Sequence, residues 1–97
     1  MLDSATKQRF EEALASERYT GLKDLADQMT REGLSQVAIY LLFESFQDFL
    51  NEQHRQADEE IILGCLECII GYCAQSSKWF EHYLTNEEID EYRKTKP

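Results

Sequence analysis

Three cysteines and one histidine are the residues whose spacing comes nearest to a chemical motif in this 97-residue sequence. Cys65 and Cys68 form a C-x-x-C pair, and Cys73 with His82 could complete four ligands for a tetrahedral zinc ion. A zinc knuckle usually adds a second ligand pair at a characteristic spacing, and none follows here. The cysteines fall within or at the edge of an apolar helical face, where cysteine packs as a small hydrophobic residue. We therefore expect core cysteines, no metal site and no cofactor.

Other catalytic arrangements are missing from the sequence. Neither His54 nor His82 has a glutamate three residues earlier, so the pattern of di-iron helical bundles is absent. The four glycines are scattered and form no phosphate-binding loop. No spacing places a histidine beside a cysteine to activate it as a nucleophile. We expect that the protein is not an enzyme.

The elements that carry these residues are all predicted to be helices, because the two-residue alternation of a half-buried strand never persists. Polar connections between the apolar periodic segments are short, which favours antiparallel neighbours. The prediction is one all-α domain over 1–97, a compact antiparallel bundle of four to five helices with a short basic tail at 92–97. The first expected helix is capped by Ser4 and runs to about Ser16. Thr20-Gly21 then interrupts the apolar pattern, and a second helix is marked by Leu22, Leu25, Ala26 and Met29. A third covers about Gln36–Gln53 after a Ser35 cap and a fourth about Asp58–Ala74; a short helical turn from Ser76 or Ser77 and a last helix with a Thr85–Glu88 capping box follow. The first two could also form one bent helix over 4–32.

Charge is the first indication of function. The net charge is −9, and residues 44–91 hold twelve acids against two bases. Nucleic acid and anionic membrane surfaces are therefore expected to be poor partners. The acidic half could instead attract a basic protein, or it could serve solubility alone. An odd cysteine count, no apolar leader and no membrane-spanning run favour the cytoplasm.

The third and fourth predicted helices carry the candidate partner-binding residues. Tyr40 and Leu41 lie among acids on the side opposite the phenylalanines, although they could equally pack under a neighbouring helix. If a basic protein binds there, one tyrosine and six acids should share a face: Tyr40, Glu44, Asp48, Glu52, Asp58, Glu59 and Glu60.

Two glycines and the one tryptophan complete the candidates. Gly64 and Gly71 are seven residues apart and share the polar face of the fourth helix with Glu60 and Glu67. Glycines inside a helix favour close approach of another backbone, either the protein's own first helix or a partner or second copy. Trp79 either caps the core or anchors a partner.

Three hypotheses about function follow. The first is an acidic inhibitor or immunity-type protein that neutralises a basic partner such as a nuclease toxin. In size, acidity and helical character the chain is similar to bacterial immunity proteins of that kind, although it carries no motif of theirs, including the Tyr-Tyr-Pro stretch of the colicin nuclease inhibitors. The second is a self-associating structural or regulatory protein, with Gly64 and Gly71 at a homodimer contact. The third and weakest is a metal or thiol sensor that uses Cys65, Cys68 and Cys73.

Overall fold

Every helix or strand in the described part of the chain is an α-helix, which confirms the all-α prediction. The computed structural model describes residues 2–72 and 78–95. In these ranges the helices are α1 (Ser4–Glu17), α2 (Tyr19–Arg31), α3 (Gln36–Glu52), α4 (Gln56–Ile70) and α5 (Asn86–Thr95).

A single residue separates α1 from α2. Arg18 has a φ of 49°, outside the helical region, so the first two helices are distinct and not one bent helix. Asp3 rather than Ser4 caps α1, because its Oδ1 accepts the Thr6 N–H at 2.7 Å. The two terminal guanidinium nitrogens of Arg9 donate to the Glu32 carboxylate, at 3.0 and 3.1 Å. This pair joins the early part of α1 to the end of α2, so the two helices form an antiparallel hairpin.

The second hairpin consists of α3 and α4. Ser35 caps α3 as predicted, accepting the Ala38 N–H at 3.2 Å. The predicted C-terminal end of α4 at Ala74 is wrong, because the helix ends at Ile70. Gly71 follows in the left-handed region with a φ of 92°, and the Tyr72 N–H donates back to the Glu67 carbonyl at 2.9 Å. This is the hydrogen-bonding pattern that closes many helices at a glycine.

Backbone hydrogen bonds hold residues 79–84, which precede α5, against the second hairpin. The Trp79 N–H donates to the Cys68 carbonyl at 3.1 Å, and the Leu84 N–H donates to the Ile70 carbonyl at 3.0 Å. The predicted helical turn is not present over residues 78–85, while Ser76 and Ser77 lie outside the described residues. The predicted capping box of α5 is confirmed, since the Glu88 N–H donates to Thr85 Oγ1 at 3.2 Å.

Phenylalanines from both hairpins meet in the core. Phe10 of α1 is fully buried, with its ring centroid 4.8 Å from that of Phe43 in an edge contact and 4.8 Å from that of Phe46 in a stacked contact. One continuous cluster surrounds them: Leu14, Leu22, Leu25, Ala26, Met29, Ile39, Leu50, Ile62, Cys65, Leu66 and Ile69. The two hairpins are therefore held together by apolar burial, which leaves their polar side chains on the outside.

Candidate functional site

The C-x-x-C pair lies in the C-terminal half of α4. Cys65 is fully buried within the core cluster, and Cys68 is half-buried. Burial raises the pKa of the Cys65 thiol to about 12, with a smaller contribution from Cys68. A thiol with so high a pKa stays protonated near neutral pH and is a poor nucleophile and metal ligand. Residues 2–72 and 78–95 contain no group of three His, Cys, Asp or Glu side chains that could hold a metal ion. Cys73 lies outside the described residues.

The candidate residues on α3 have different surroundings. The Glu44 carboxylate forms an ion pair with Arg93 of α5. Tyr40 is half-buried, and burial followed by the nearby Glu44 charge raises the pKa of its phenol. Leu41 is also half-buried, whereas Asp48 and Glu52 are exposed and their carboxylates form no hydrogen bond or ion pair within the described residues. The Tyr40 and Glu44 side of α3 is thus occupied in part by α5, and only the two later acids are open to a partner.

Two of the three acids at the start of α4 bind other parts of the protein. Asp58 forms ion pairs with Arg55 at 2.9 Å and with Arg18 at 3.4 Å. Arg55 also donates to both oxygens of Glu11 on α1, at 2.8 and 2.9 Å, and this hydrogen bonding raises the pKa of its guanidinium. The result is a charged link between the start of α4 and the first hairpin.

The neighbouring acids point in other directions. Glu59 accepts hydrogen bonds from Gln47 and Asn51 of α3. Glu60 is exposed and has no partner in the described ranges. The expected single acidic face is therefore divided, because residues one or two apart on a helix point in different directions. Asp58 and Glu59 hold helices together, and Glu60 remains available.

Gly64 in α4 and Gly71 immediately after it have intramolecular explanations. A Cβ on Gly64 would overlap the hydroxyl of Tyr19 and would lie 2.9 Å from Tyr19 Cζ, so the first residue of α2 covers this glycine. The prediction that Gly71 shares a helical face with Gly64 is wrong, because Gly71 ends the helix in a left-handed conformation. Neither glycine requires a second chain to explain it.

The backbones of α1 and α2 approach each other closely at Gly21, a glycine that the sequence analysis treated only as a break in the apolar pattern. A Cβ on Gly21 would overlap the Ala13 carbonyl oxygen and lie 3.1 Å from the carbonyl carbon. Its interruption of an apolar pattern was the available signal. Gly21 thus permits the tight hairpin that places Tyr19 over α4.

Trp79 packs against the core from the segment before α5. Its ring centroid is 5.8 Å from that of Phe43 in an edge contact, and Lys23 Nζ lies 6.0 Å above the indole. The ring is half-buried, as the core-capping interpretation predicts. A role as the central anchor of a partner stays an untested prediction.

The exposed large hydrophobic residues in the described part of the chain all lie on or against α4. They are Tyr19 (46% exposed), Leu63 (42%), Tyr72 (68%) and Tyr83 (50%). Tyr19 lies over Gly64 on one flank. Tyr72 and Tyr83 adjoin Gly71 at the C-terminal end, where Tyr83 Cα is 3.7 Å from a Cβ built on Gly71.

Two acids lie between these hydrophobic side chains. Glu60 and Glu67 are exposed on either side of Leu63 along α4, and neither carboxylate has a hydrogen bond or ion pair among residues 2–72 and 78–95. We call this set the α4 outer surface: Tyr19, Glu60, Leu63, Glu67, Tyr72 and Tyr83. The sequence analysis found its acids and missed its apolar members. The available signal was that Leu63 falls outside the apolar stripe of its helix.

No protein-family model, curated protein or solved structure matches the chain. Within the described residues, no helix is both long enough and apolar enough to cross a membrane. The function must therefore be argued from the surface itself.

Proposed function

We propose that this protein is a small acidic module that binds a basic protein at the α4 outer surface. The observation that carries the proposal is that all four exposed large hydrophobics of the described chain adjoin one helix, beside Glu60 and Glu67, whose carboxylates form no ion pair with any described residue. Tyrosine and leucine supply apolar contact area, and tyrosine is enriched among residues that dominate binding energy. Acids beside such contacts favour lysine and arginine on the partner.

The charge of the molecule supports the same partner class. Residues 44–91 carry twelve acids and only Arg55 and Lys78 as bases. Arg55 is engaged by Glu11 and Asp58, so its charge is balanced within the fold. The resulting negative potential speeds association with a basic protein and repels nucleic acids and anionic membranes.

The specific form of the proposal is an inhibitor of the immunity type. A basic enzyme that acts on nucleic acid has a positive surface where its polyanionic substrate binds. An acidic module that occupies this surface excludes the substrate by competition. The proposal places such a module in the cytoplasm, since three cysteines are an odd number and fit a reducing compartment.

The experiment is a pull-down from cell lysate at low and at high salt, with three baits in parallel: the wild-type protein, E60K/E67K and D48K/E52K. Both variants reverse two exposed acids, so they change the net charge equally and differ only in the surface that they alter. A basic protein captured by the wild type is identified, purified and titrated with each bait by calorimetry at low and high salt. We expect E60K/E67K to weaken binding at least about tenfold, and D48K/E52K about threefold at most. If that protein is a nuclease, its activity should fall in proportion to the complex formed.

Three results would contradict the proposal. Equal loss with both variants would mean that only net charge matters. Binding that does not weaken with salt would remove the electrostatic argument. Recovery of no basic protein at either salt concentration would count against a basic partner.

A further inference from the structure

A regular row of side chains runs along the exposed side of α4. Its members are separated alternately by four and three residues: Gln56, Glu60, Leu63, Glu67 and Ile70. At about 100° per residue they fall within an arc of about 80°, which makes them nearly collinear along the helix. The first four are exposed, and Ile70 is half-buried. This seven-residue repeat is the spacing by which one helix contacts another along its length.

From this row we infer that the partner's contacting element is a basic amphipathic α-helix that packs lengthwise on α4. The inference rests on the proposed function and specifies the partner at the same surface. Glu60 and Glu67 are seven residues apart, or about 10 Å along the axis. Lysine or arginine residues seven apart on a second helix recur at the same distance, so two ion pairs form in register. An apolar residue between them meets Leu63.

The exposed tyrosines lie where they could contact such a helix, one beside the row and two at its C-terminal end. Tyr19 borders the row at Gly64, where burial, then the nearby Cys65, Cys68 and Glu67, raises the pKa of its phenol. Tyr72 and Tyr83 stand at the end of the row beyond Ile70. Aromatic rings in these positions contact the aliphatic stems of lysine and arginine and attract their charged groups.

Charge complementarity argues against a second copy of this chain as the occupant. If two α4 helices pair antiparallel about Leu63, Glu60 of one copy lies near Glu67 of the other. If they pair parallel, each glutamate faces its own equivalent. Both arrangements bring carboxylates together, which is unfavourable, whereas a basic helix neutralises both. An extended peptide is a poorer fit, since the helix uses its own backbone groups and offers none to a strand.

The first test uses a synthetic 21-residue helical peptide whose lysines are placed to meet Glu60 and Glu67 and whose leucines are placed to meet Leu63, at the same alternating three- and four-residue spacing. We call it the in-register peptide. A second peptide of the same composition and helix propensity has its lysines distributed around the helix. Binding of each labelled peptide to the full chain is measured by fluorescence anisotropy. We expect the in-register peptide to bind at least about tenfold more tightly. Its helicity, measured by circular dichroism, should increase on binding.

The second test is a charge exchange. E60K/E67K should bind the lysine peptide at least about tenfold more weakly, while D48K/E52K should stay within about threefold of the wild type. A matching peptide with glutamate in place of lysine should then bind E60K/E67K better than it binds the wild type. This rescue would show that the variant is folded, and its absence in D48K/E52K, which has the same net charge, would show that the charges meet along α4.

The inference would be overturned if both lysine peptides bound equally, or if the charge exchange gave no rescue. Suppose that E60K/E67K no longer binds an identified basic protein, but that the positions of the lysines in the peptide make no difference to binding. The inference of a helical partner is then wrong, and the proposed function stands. If neither a basic protein nor either peptide binds, both proposals fail.

Discussion

At the residue scale, two glycines face similar overlaps with neighbours that differ in their ability to move. A Cβ on Gly21 would meet the Ala13 backbone, which is part of α1. A Cβ on Gly64 would meet the end of the Tyr19 side chain, which is 46% exposed and can rotate away. The first position tests the packing of the α1–α2 hairpin, and the second tests only the position of one phenol.

We expect the Gly21→Ala variant to lower the free energy of unfolding by about 1–3 kcal/mol, because the helices must separate to admit a methyl group. The Gly64→Ala variant should stay within about 1 kcal/mol of the wild type, since the preference of alanine for helices offsets displacement of Tyr19. Urea unfolding followed by circular dichroism measures both. Equal effects of the two substitutions would contradict the difference between a fixed and a movable neighbour.

At the element scale, α5 is attached by a small number of contacts. Ile89 is its buried hydrophobic residue, and Arg93 pairs with Glu44 of α3. At its N-terminal end, Glu88 accepts from Thr85 and contacts His82 Nε2 at 2.8 Å. His82 in turn offers its carbonyl oxygen to Gln36 Nε2 at 2.8 Å. Because few contacts hold this short helix, a substitution of one of these side chains should change its stability.

The stability of α5 at acid pH should depend on His82. The hydrogen bond from His82, with smaller contributions from Thr85, lowers the pKa of Glu88 below the ordinary value of 4.5. A carboxyl whose pKa is lower in the folded state stabilises the fold above its unfolded pKa. That contribution is lost as the pH falls through the lower, folded value.

In the His82→Gln variant, the midpoint of Glu88 should rise towards 4.5 in a carboxyl-carbon NMR titration. Asp3 is the internal control, because its pKa is lowered by Thr6 at the far end of the chain and should not change. A Glu88 midpoint that the substitution leaves in place would show that His82 does not set it.

The charged link between α1 and α4 can be tested by a conservative change. Lysine cannot reproduce the two parallel hydrogen bonds that Arg55 makes with Glu11. The Arg55→Lys variant should therefore lose about 1 kcal/mol of stability, a modest value because the pair is partly exposed to solvent. The Arg31→Lys variant is the matched control, since Arg31 is exposed and makes no ion pair within the described residues. Thermal unfolding of both variants at one ionic strength makes the comparison.

Local signals predicted the elements better than they predicted their limits. The Ser35 cap and the Thr85–Glu88 box were recognisable because each depends on residues three apart. A break between the first two helices was predicted from the interruption at Thr20-Gly21, but its position at Arg18 was not, since arginine carries no turn signal. The end of α4 was extended too far because apolar spacing continues past Gly71.

Which acids form ion pairs within the fold, and which stay exposed, could not be predicted from the sequence. Glu44 and Arg93 are 49 positions apart and meet only because α5 folds back on α3. Asp58 and Glu60 look equivalent in the sequence, yet they lie on different sides of α4, and of the two only Asp58 forms ion pairs among the described residues. The exposed tyrosines were missed for a related reason, since their exposure depends on where α4 ends.

At the scale of the whole molecule, negative charge has two roles. Some acids connect helices through arginines, as Glu11, Glu32 and Asp58 do. Others, including Glu60 and Glu67, have no such partner in the described residues and contribute to the external potential. Copies of the protein should therefore repel one another at low salt, and most strongly along α4.

Sedimentation velocity should accordingly show one species of about the chain mass, 11.4 kDa, at low ionic strength and high protein concentration. The E60Q/E67Q variant removes the repulsion along α4 and should be the first to associate. A stable wild-type dimer under these conditions would favour the self-associating alternative and contradict the charge argument.

Trp79 is the only tryptophan in the chain, and its ring lies between Phe43 and the Lys23 ammonium. Intrinsic fluorescence from the indole therefore reports on one place in the molecule, residues 78–85 before α5. Release of this segment into water would shift the emission to longer wavelength even if helix content did not change. Because Tyr83 belongs to the same segment, the protein contains a label-free optical probe beside the surface where we place its partner.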